Sequence, residues 1–157
     1  MWRVATPNDH PAVVRSYLAL NAEDPGPSPP DPARMERTLG YFGRDPQRGC
    51  CIVLDEGGSI QGYALLVPYW SNELGGLVCC IDEMYVEPRA RGRGCGSGLL
   101  TSLALGALGC GESTVALQLE VSPSNPRARA LYERHGFRPS RNATLVRALA
   151  PVRRLGR

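Results

Sequence analysis

The sequence predicts a single-domain α/β (α+β) fold, a mixed central sheet flanked by helices. Three observations predict it. The chain has 157 residues, enough to bury one core unaided, with 43% apolar and 21% charged residues. Apolar patterns of strand and helix period succeed one another in the order β-α-α-β-β-β-α-β-α-β. The stretch from Ile81 to Leu100 reads as strand, short turn, glycine-rich loop and helix. Residues 1–157 are therefore expected to form one domain, ordered to about 150, with a basic tail at 151–157.

Trp2 to Ala5 suits a short first strand, and Thr6-Pro7-Asn8-Asp9 is a helix-start signal. The first helix, to Ala22, carries Ala12, Val13, Tyr17, Leu18 and Leu20 as an imperfect apolar stripe. Asp24 to Pro32 holds five prolines and reads as a loop; the segment before it is too short to be a domain. Ala33 to Phe42 reads as a second helix. Cys50 to Asp55 and Ile60 to Val67 form the arms of a hairpin turning at Glu56-Gly57-Gly58-Ser59. Pro68 to Gly76 reads as an irregular connection. Leu77 to Val86 is the next strand, ended by Pro88, which has no N–H to give a ladder. After the glycine loop, Leu99, Leu100, Leu103, Leu105 and Leu108 recur at helical spacing. Thr114 to Val121 alternates as a strand, Ser122 to Pro126 breaks it, and a helix runs to about His135, with Gly136 as terminator. Thr144 to Leu149 is expected to be a last strand.

A net charge of +3, much of it in Arg147, Arg153, Arg154 and Arg157, is too small and too terminal for a nucleic-acid binder. The six cysteines include no C-x-x-C pair and there are only two histidines, so no metal site is expected. With no signal peptide and no long apolar run, the expectation is a cytoplasmic protein that does not engage a membrane.

Gly92, Gly94, Gly96 and Gly98 alternate with Arg91, Arg93, Cys95 and Ser97 just before a helix. Backbone N–H groups can converge on an anion at such a helix start, and the helix dipole favours negative charge there. A nucleoside-triphosphate loop would need G-K-[ST], and a dinucleotide fingerprint G-x-G-x-x-G; neither is present. The combination Val86-x-Pro88-x-x-Arg91-Gly92-x-Gly94-x-Gly96-x-x-Leu99-Leu100 resembles the cofactor motif of the GNAT superfamily of acyl-CoA-dependent N-acyltransferases. A second match lies downstream, at Asn125-x-x-Ala128-x-x-Leu131-Tyr132-x-x-x-Gly136-Phe137, and Arg3-x-Ala5-Thr6-x-x-Asp9 looks like the family's opening.

The resemblance implies that the strand ending at Val86 splays from the strand Thr114 to Val121 and that acetyl-CoA binds in the gap. Met84, Tyr85 and Val86 would pair with the pantetheine arm, and Asn125 would bond its amide. Arg91, Gly92, Arg93, Gly94, Cys95, Gly96 and Ser97 would cradle the pyrophosphate, the glycines because a Cβ would obstruct its approach. Tyr132 stands where the family often carries the general acid for the departing thiolate. For the base the candidates are Asp82 and Glu83. Steps of two back from Val86 reach Met84, Asp82 and Cys80, which favours Asp82; a bulge in this strand would reset the parity and favour Glu83. A water chain is the remaining alternative, and Cys80 and Cys95 read as small fillers.

In this fold the acceptor site takes in the loop before the motif strand, so Tyr69, Trp70, Asn72 and Glu73 are expected near it. Aromatics beside carboxylates suit a cationic amine. The function implied is acetyl transfer from acetyl-CoA to a primary amine of a small cationic molecule, by direct transfer in a ternary complex. A protein or peptide acceptor, or an acyl-CoA sensor without turnover, are the alternatives. Edge-strand pairing is a common route to dimers in this family, which leaves a homodimer open.

Overall fold

The computed structural model describes residues 1–26, 28–109, 111 and 113–147. Five strands form one sheet in the order β1 (Trp2–Val4), β2 (Cys50–Glu56), β3 (Ser59–Ser71), β4 (Gly76–Val86) and β5 (Thr114–Leu119). The first four pair antiparallel, and β5 lies parallel to β4. Helices α1 (His10–Glu23) and α2 (Pro32–Arg44) cover one face; α3 (Cys95–Ala104) and α4 (Pro126–Arg134) cover the other.

Two cores result. On the α1/α2 side Val13, Tyr17, Met35, Leu39 and Phe42 pack on Cys51, Val53, Tyr63, Leu65 and Tyr85. On the α3/α4 side Leu99, Leu100, Leu103 and Tyr132 pack on Ile52, Ala64, Leu66, Cys79 and Ile81. This two-sided covering explains why Cys51, Ile52, Val53 and Leu54 are buried in succession, since neighbours on a strand face opposite ways. The β2–β3 turn uses Gly57 and Gly58, both at positive φ, as a two-residue hairpin with right-handed strand twist requires.

Several element boundaries differ from the sequence reading. β3 does not stop at Val67 but continues through Pro68 to Ser71, with Pro68 opposite Cys79. Its pairing with β2 ends at Leu66, so the missing proline N–H faces no ladder on that side. Helix α3 ends at Ala104; Leu105 is exposed and Leu108 has φ 60, so these two leucines fit the period by coincidence. β5 ends at Leu119 rather than Val121. Residues 144–147 carry no strand, and Leu145 and Val146 are exposed; the rest of that segment and the tail at 151–157 lie outside the described residues. Among the described residues no helix is long and apolar enough to cross a membrane.

The N-terminal start signal is a three-way junction. Asp9 accepts from the Thr6 backbone N–H at 2.7 Å and from both Arg3 terminal nitrogens at 2.8 and 2.9 Å. Arg3 Nε also donates to Asp55 at the end of β2, at 2.9 Å. One guanidinium thus joins β1, the start of α1 and β2, and its hydrogen bonds hold the Asp9 carboxyl well below the usual carboxylate range. Asp9→Asn is expected to destabilise the fold by about 1–2 kcal/mol at neutral pH, as loss of a capping group does. Because the folded carboxyl titrates below its unfolded value, this contribution is complete above about pH 4 and fades as pH falls. Urea midpoints of wild type and variant should therefore converge on acidification; a gap that stays constant would refute the assignment.

Candidate functional site

β4 is longer than its partner. The parallel ladder runs from Leu77↔Thr114 to Ile81↔Leu119, where β5 ends, while β4 continues to Val86 alongside β3 alone. Among the described residues, β4 therefore has a strand neighbour on that side only as far as Ile81. A cavity of about 540 Å³ opens in the gap. Met84, Tyr85 and Val86 of β4 line it, with Ala90 to Gly92 and Gly94 of the loop and Cys95, Gly96 and Ser97 of α3. Asn125, Arg127, Ala128, Leu131, Tyr132 and Arg134 line it from the α4 side, and Leu20, Glu23 and Asp24 from the end of α1.

At one end the backbone forms an anion cradle. Gly94 caps α3 with φ 80 and supplies no side-chain cap; the first turn closes with the Gly98 N–H donating to the Gly94 carbonyl at 2.8 Å. The N–H groups of Cys95, Gly96 and Ser97 precede that bond and have no partner within the helix. A Cβ at Gly94 would meet open space, so left-handed backbone is what calls for glycine there. Gly96 has another reason: a Cβ would lie 2.9 Å from Leu131 Cδ2, so its absence lets α4 pack on the start of α3. The cradle fits a phosphate-bearing group by its unspent N–H donors, and Arg127 and Arg134 line the same cavity.

Two arginines of the loop behave differently. Arg91 Nε donates to the Val86 carbonyl at 2.7 Å, and its guanidinium lies 5.3 Å over the Tyr85 ring and bonds Glu23 at 2.8 and 2.9 Å. Arg93 turns away to Glu56 in the β2–β3 hairpin, at 3.0 Å, and does not line the cavity. The sequence reading placed it with the pyrophosphate; the hairpin carboxylate holds it elsewhere. It also missed Arg127 and Arg134, whose spacing with Leu131 (i, i+4, i+7) marks one helix face.

Asn125 lines the cavity as the N-cap of α4, its side-chain oxygen accepting from the Ala128 N–H at 3.0 Å. The cap uses the carbonyl oxygen, so a ligand can draw on the amide nitrogen. Tyr132 is 9% exposed and meets Phe137 edge-on at 5.9 Å. Burial pushes its phenol above the usual tyrosine value, so it holds a proton at neutral pH.

The acids are sorted by a bulge. Leu65 pairs with Glu83 and Leu66 with Ile81, so Asp82 is the extra residue. Ile81 packs on the α3/α4 side, yet Glu83, two residues on, has Leu65 across the ladder and Tyr85 two residues beyond it on the α1/α2 side. Steps of two from Val86 therefore do not lead through the bulge to Asp82, which is exposed. Glu83 is half-buried and accepts from Tyr63 Oη at 2.6 Å. Burial raises its carboxyl above the ordinary range and Asp82 adds to this; the Tyr63 bond and Arg34 oppose it. Burial also raises the Cys80 thiol, with Asp82 and Glu120 adding, which keeps it protonated.

The four residues expected around the acceptor do not line this cavity. Tyr69 and Trp70 sit opposite Val78 and Leu77, whereas the cavity begins at Met84, roughly 20 Å along the strand at about 3.3 Å per residue. Tyr69 shares a face with Val67 and bonds Gln118; Trp70 points to the other face and is 67% exposed; Asn72 and Glu73 lie exposed in the hairpin turn.

A model of the Acetyltransferase (GNAT) family matches residues 15–137. The chain is 30% identical over 86 residues to an uncharacterized N-acetyltransferase, YhfO, of Bacillus subtilis (strain 168); the match spans 55% of this chain and 56% of that protein's length. An integron cassette protein from the mobile metagenome of Cole Harbour Salt Marsh has a similar structure, with a TM-score of 0.79 at 29% identity over 96% of this chain and 91% of that one. A possible acetyltransferase from Clostridium difficile 630 gives 0.81 at 18% identity over 96% and 97%, a likeness of fold.

Proposed function

The chain belongs to the GNAT acetyltransferase family, and from that premise we propose that it transfers an acetyl group from acetyl-CoA to the primary amine of a small cationic molecule, directly within a ternary complex. The observation that carries the reading is the cavity where β4 outruns β5. An uncapped helix start and a buried phenol line it, and a half-buried carboxylate, Glu83, follows the bulge one residue before the lining Met84. Acetyl-CoA supplies an activated thioester, whose carbonyl carbon the neutral amine attacks.

The chain's own groups divide the work. The N–H groups of Cys95, Gly96 and Ser97 bind pyrophosphate oxygens, with Arg127 and Arg134 adding charge. The backbone of Met84, Tyr85 and Val86 holds the pantetheine arm as a strand would, and Asn125 Nδ2 donates to it. Glu83 takes the proton from the acceptor ammonium. Its carboxyl, raised by burial, is closer to the operating pH than an ordinary one, as a general base requires. Tyr132 Oη gives a proton to the departing sulfur. Asp82 and Glu83 together favour a cationic acceptor.

The test is release of free thiol from acetyl-CoA with an amine panel of an aminoglycoside, a polyamine and a lysine peptide. Turnover with the first two is expected; turnover with the peptide alone would move the acceptor class to protein, and acetyl-CoA binding with no turnover would make the domain a sensor. Glu83→Gln is expected to lower kcat/KM about 10²–10⁴-fold, and Asp82→Asn less than about tenfold; the reverse order would transfer the base to Asp82. Tyr132→Phe should lower kcat by roughly 10²-fold with the Kd for CoA unchanged, and an unaltered chemical step in single-turnover kinetics would remove it as the acid. Arg127→Ala with Arg134→Ala should raise the Kd for CoA about tenfold or more, while Arg93→Ala leaves it as it was; calorimetry reads both.

A further inference from the structure

Tyr63 lies on β3 in the α1/α2 core, 0% exposed, and its hydroxyl donates to Glu83 Oε2 at 2.6 Å. That is the short range of a hydroxyl bonded to an ionised carboxylate. A phenol buried this fully needs a partner, and the β3–β4 ladder provides one. Tyr63 pairs with Tyr85 and Leu65 with Glu83, so Glu83 shares the face of Tyr63, while Asp82, looped out at the bulge, separates it from Ile81 on the other face. We propose that Tyr63 is a positioning residue whose hydroxyl fixes the Glu83 carboxylate on the α1/α2 side of the β4 bulge, leaving Oε1 to take the acceptor's proton, and so selects Glu83 over Asp82. This rests on the reading of Glu83 as the base.

The groups around the carboxylate agree on where the proton stays. Tyr63 faces Glu83 from β3, Arg34 from α2 and Cys51 from β2, with Asp82 beside it on β4 and Tyr17 of α1 near the Tyr63 phenol. Burial raises the Tyr63 phenol strongly, and the Glu83 charge and hydrogen bond raise it further, so the hydrogen remains on Tyr63 and the charge on Glu83. The same bond stabilises the charged carboxylate and draws its titration down against burial. Removing the hydroxyl must therefore move Glu83 upward.

Tyr63→Phe keeps the ring and deletes the donor. With ¹³C-labelled glutamate, the Glu83 carboxyl resonance, assigned by its loss in Glu83→Gln, is expected to titrate about one pH unit higher than in wild type, the worth of a hydrogen bond to a charged group. The acid limb of kcat/KM, read with acetyl-CoA and the best amine of the panel, is expected to shift the same way. A fluorinated tyrosine at position 63, a stronger donor of nearly the same shape, should move both readings downward and covers the case in which the phenylalanine variant does not fold. An unmoved carboxyl titration would overturn the proposal, as would a carboxyl that moves while the rate limb stays fixed. Full activity in Glu83→Gln would remove the base itself, and Tyr63's role with it, an outcome told apart by the single variant.

Discussion

The parallel pairing of β4 with β5 decides where everything else can be. A parallel pair cannot be closed by a tight turn, so the chain must cross over, and α3 is that crossover. Both strands then point the same way, and the loops at their C-terminal ends emerge at one edge of the sheet. From β4 that is the glycine loop and the start of α3; from β5 it is Asn125 and the start of α4. The two ordered motifs meet because of strand direction. β5 stops at Leu119, ahead of Pro123 and Pro126, while β4 runs on to Val86 against β3. The gap between strands of unequal reach is the cavity.

The bulge in β4 settles a question that alternation leaves open. Two neighbouring carboxylates on a regular strand face opposite layers, and either could be the buried one. With one extra residue at Asp82, Ile81 and Glu83 face opposite layers, Glu83 sharing the α1/α2 face of Leu65 and Tyr85, and Asp82 is exposed. Burial raises the proton affinity of the half-buried Glu83, and the buried Tyr63 hydroxyl bonds it there. Register and burial thus single out the same residue.

Most of the fold was legible in the residues because its signals are local. The Gly57-Gly58 turn, the Thr6 to Asp9 start and the apolar run of β2 each state their conformation within a few positions. The features that were not legible depended on partners. Pro68 reads as a strand breaker unless one knows that β2 has already ended beside it. Leu105 and Leu108 keep helical spacing beyond a helix that has stopped. In the site, the positions of the cofactor motif fell on the cavity because spacing fixes them relative to one helix start. Arg93 was misplaced because nothing local says that Glu56 waits in the hairpin. Trp70 and Glu73 looked close to the acids in sequence, but an extended strand carries neighbours apart at about 3.3 Å per residue.

Arg91, the motif arginine, spends its hydrogen bonds within the fold. Arg91 spends Nε on the Val86 carbonyl, its face on Tyr85 and its Nη2 on Glu23, which also accepts from Tyr85 Oη at 3.2 Å. That arrangement ties the end of α1 to the end of β4 and sets one wall of the cavity. It also places Glu23 and Asp24 on that wall. The α4 wall of the cavity carries the opposite charge. Arg127 and Arg134 lie on its cavity face, on either side of Leu131, with the α4 N-terminus adding its own partial positive charge. Arg91 is thus tied between α1 and β4, and Arg127 and Arg134 give the α4 wall its positive charge.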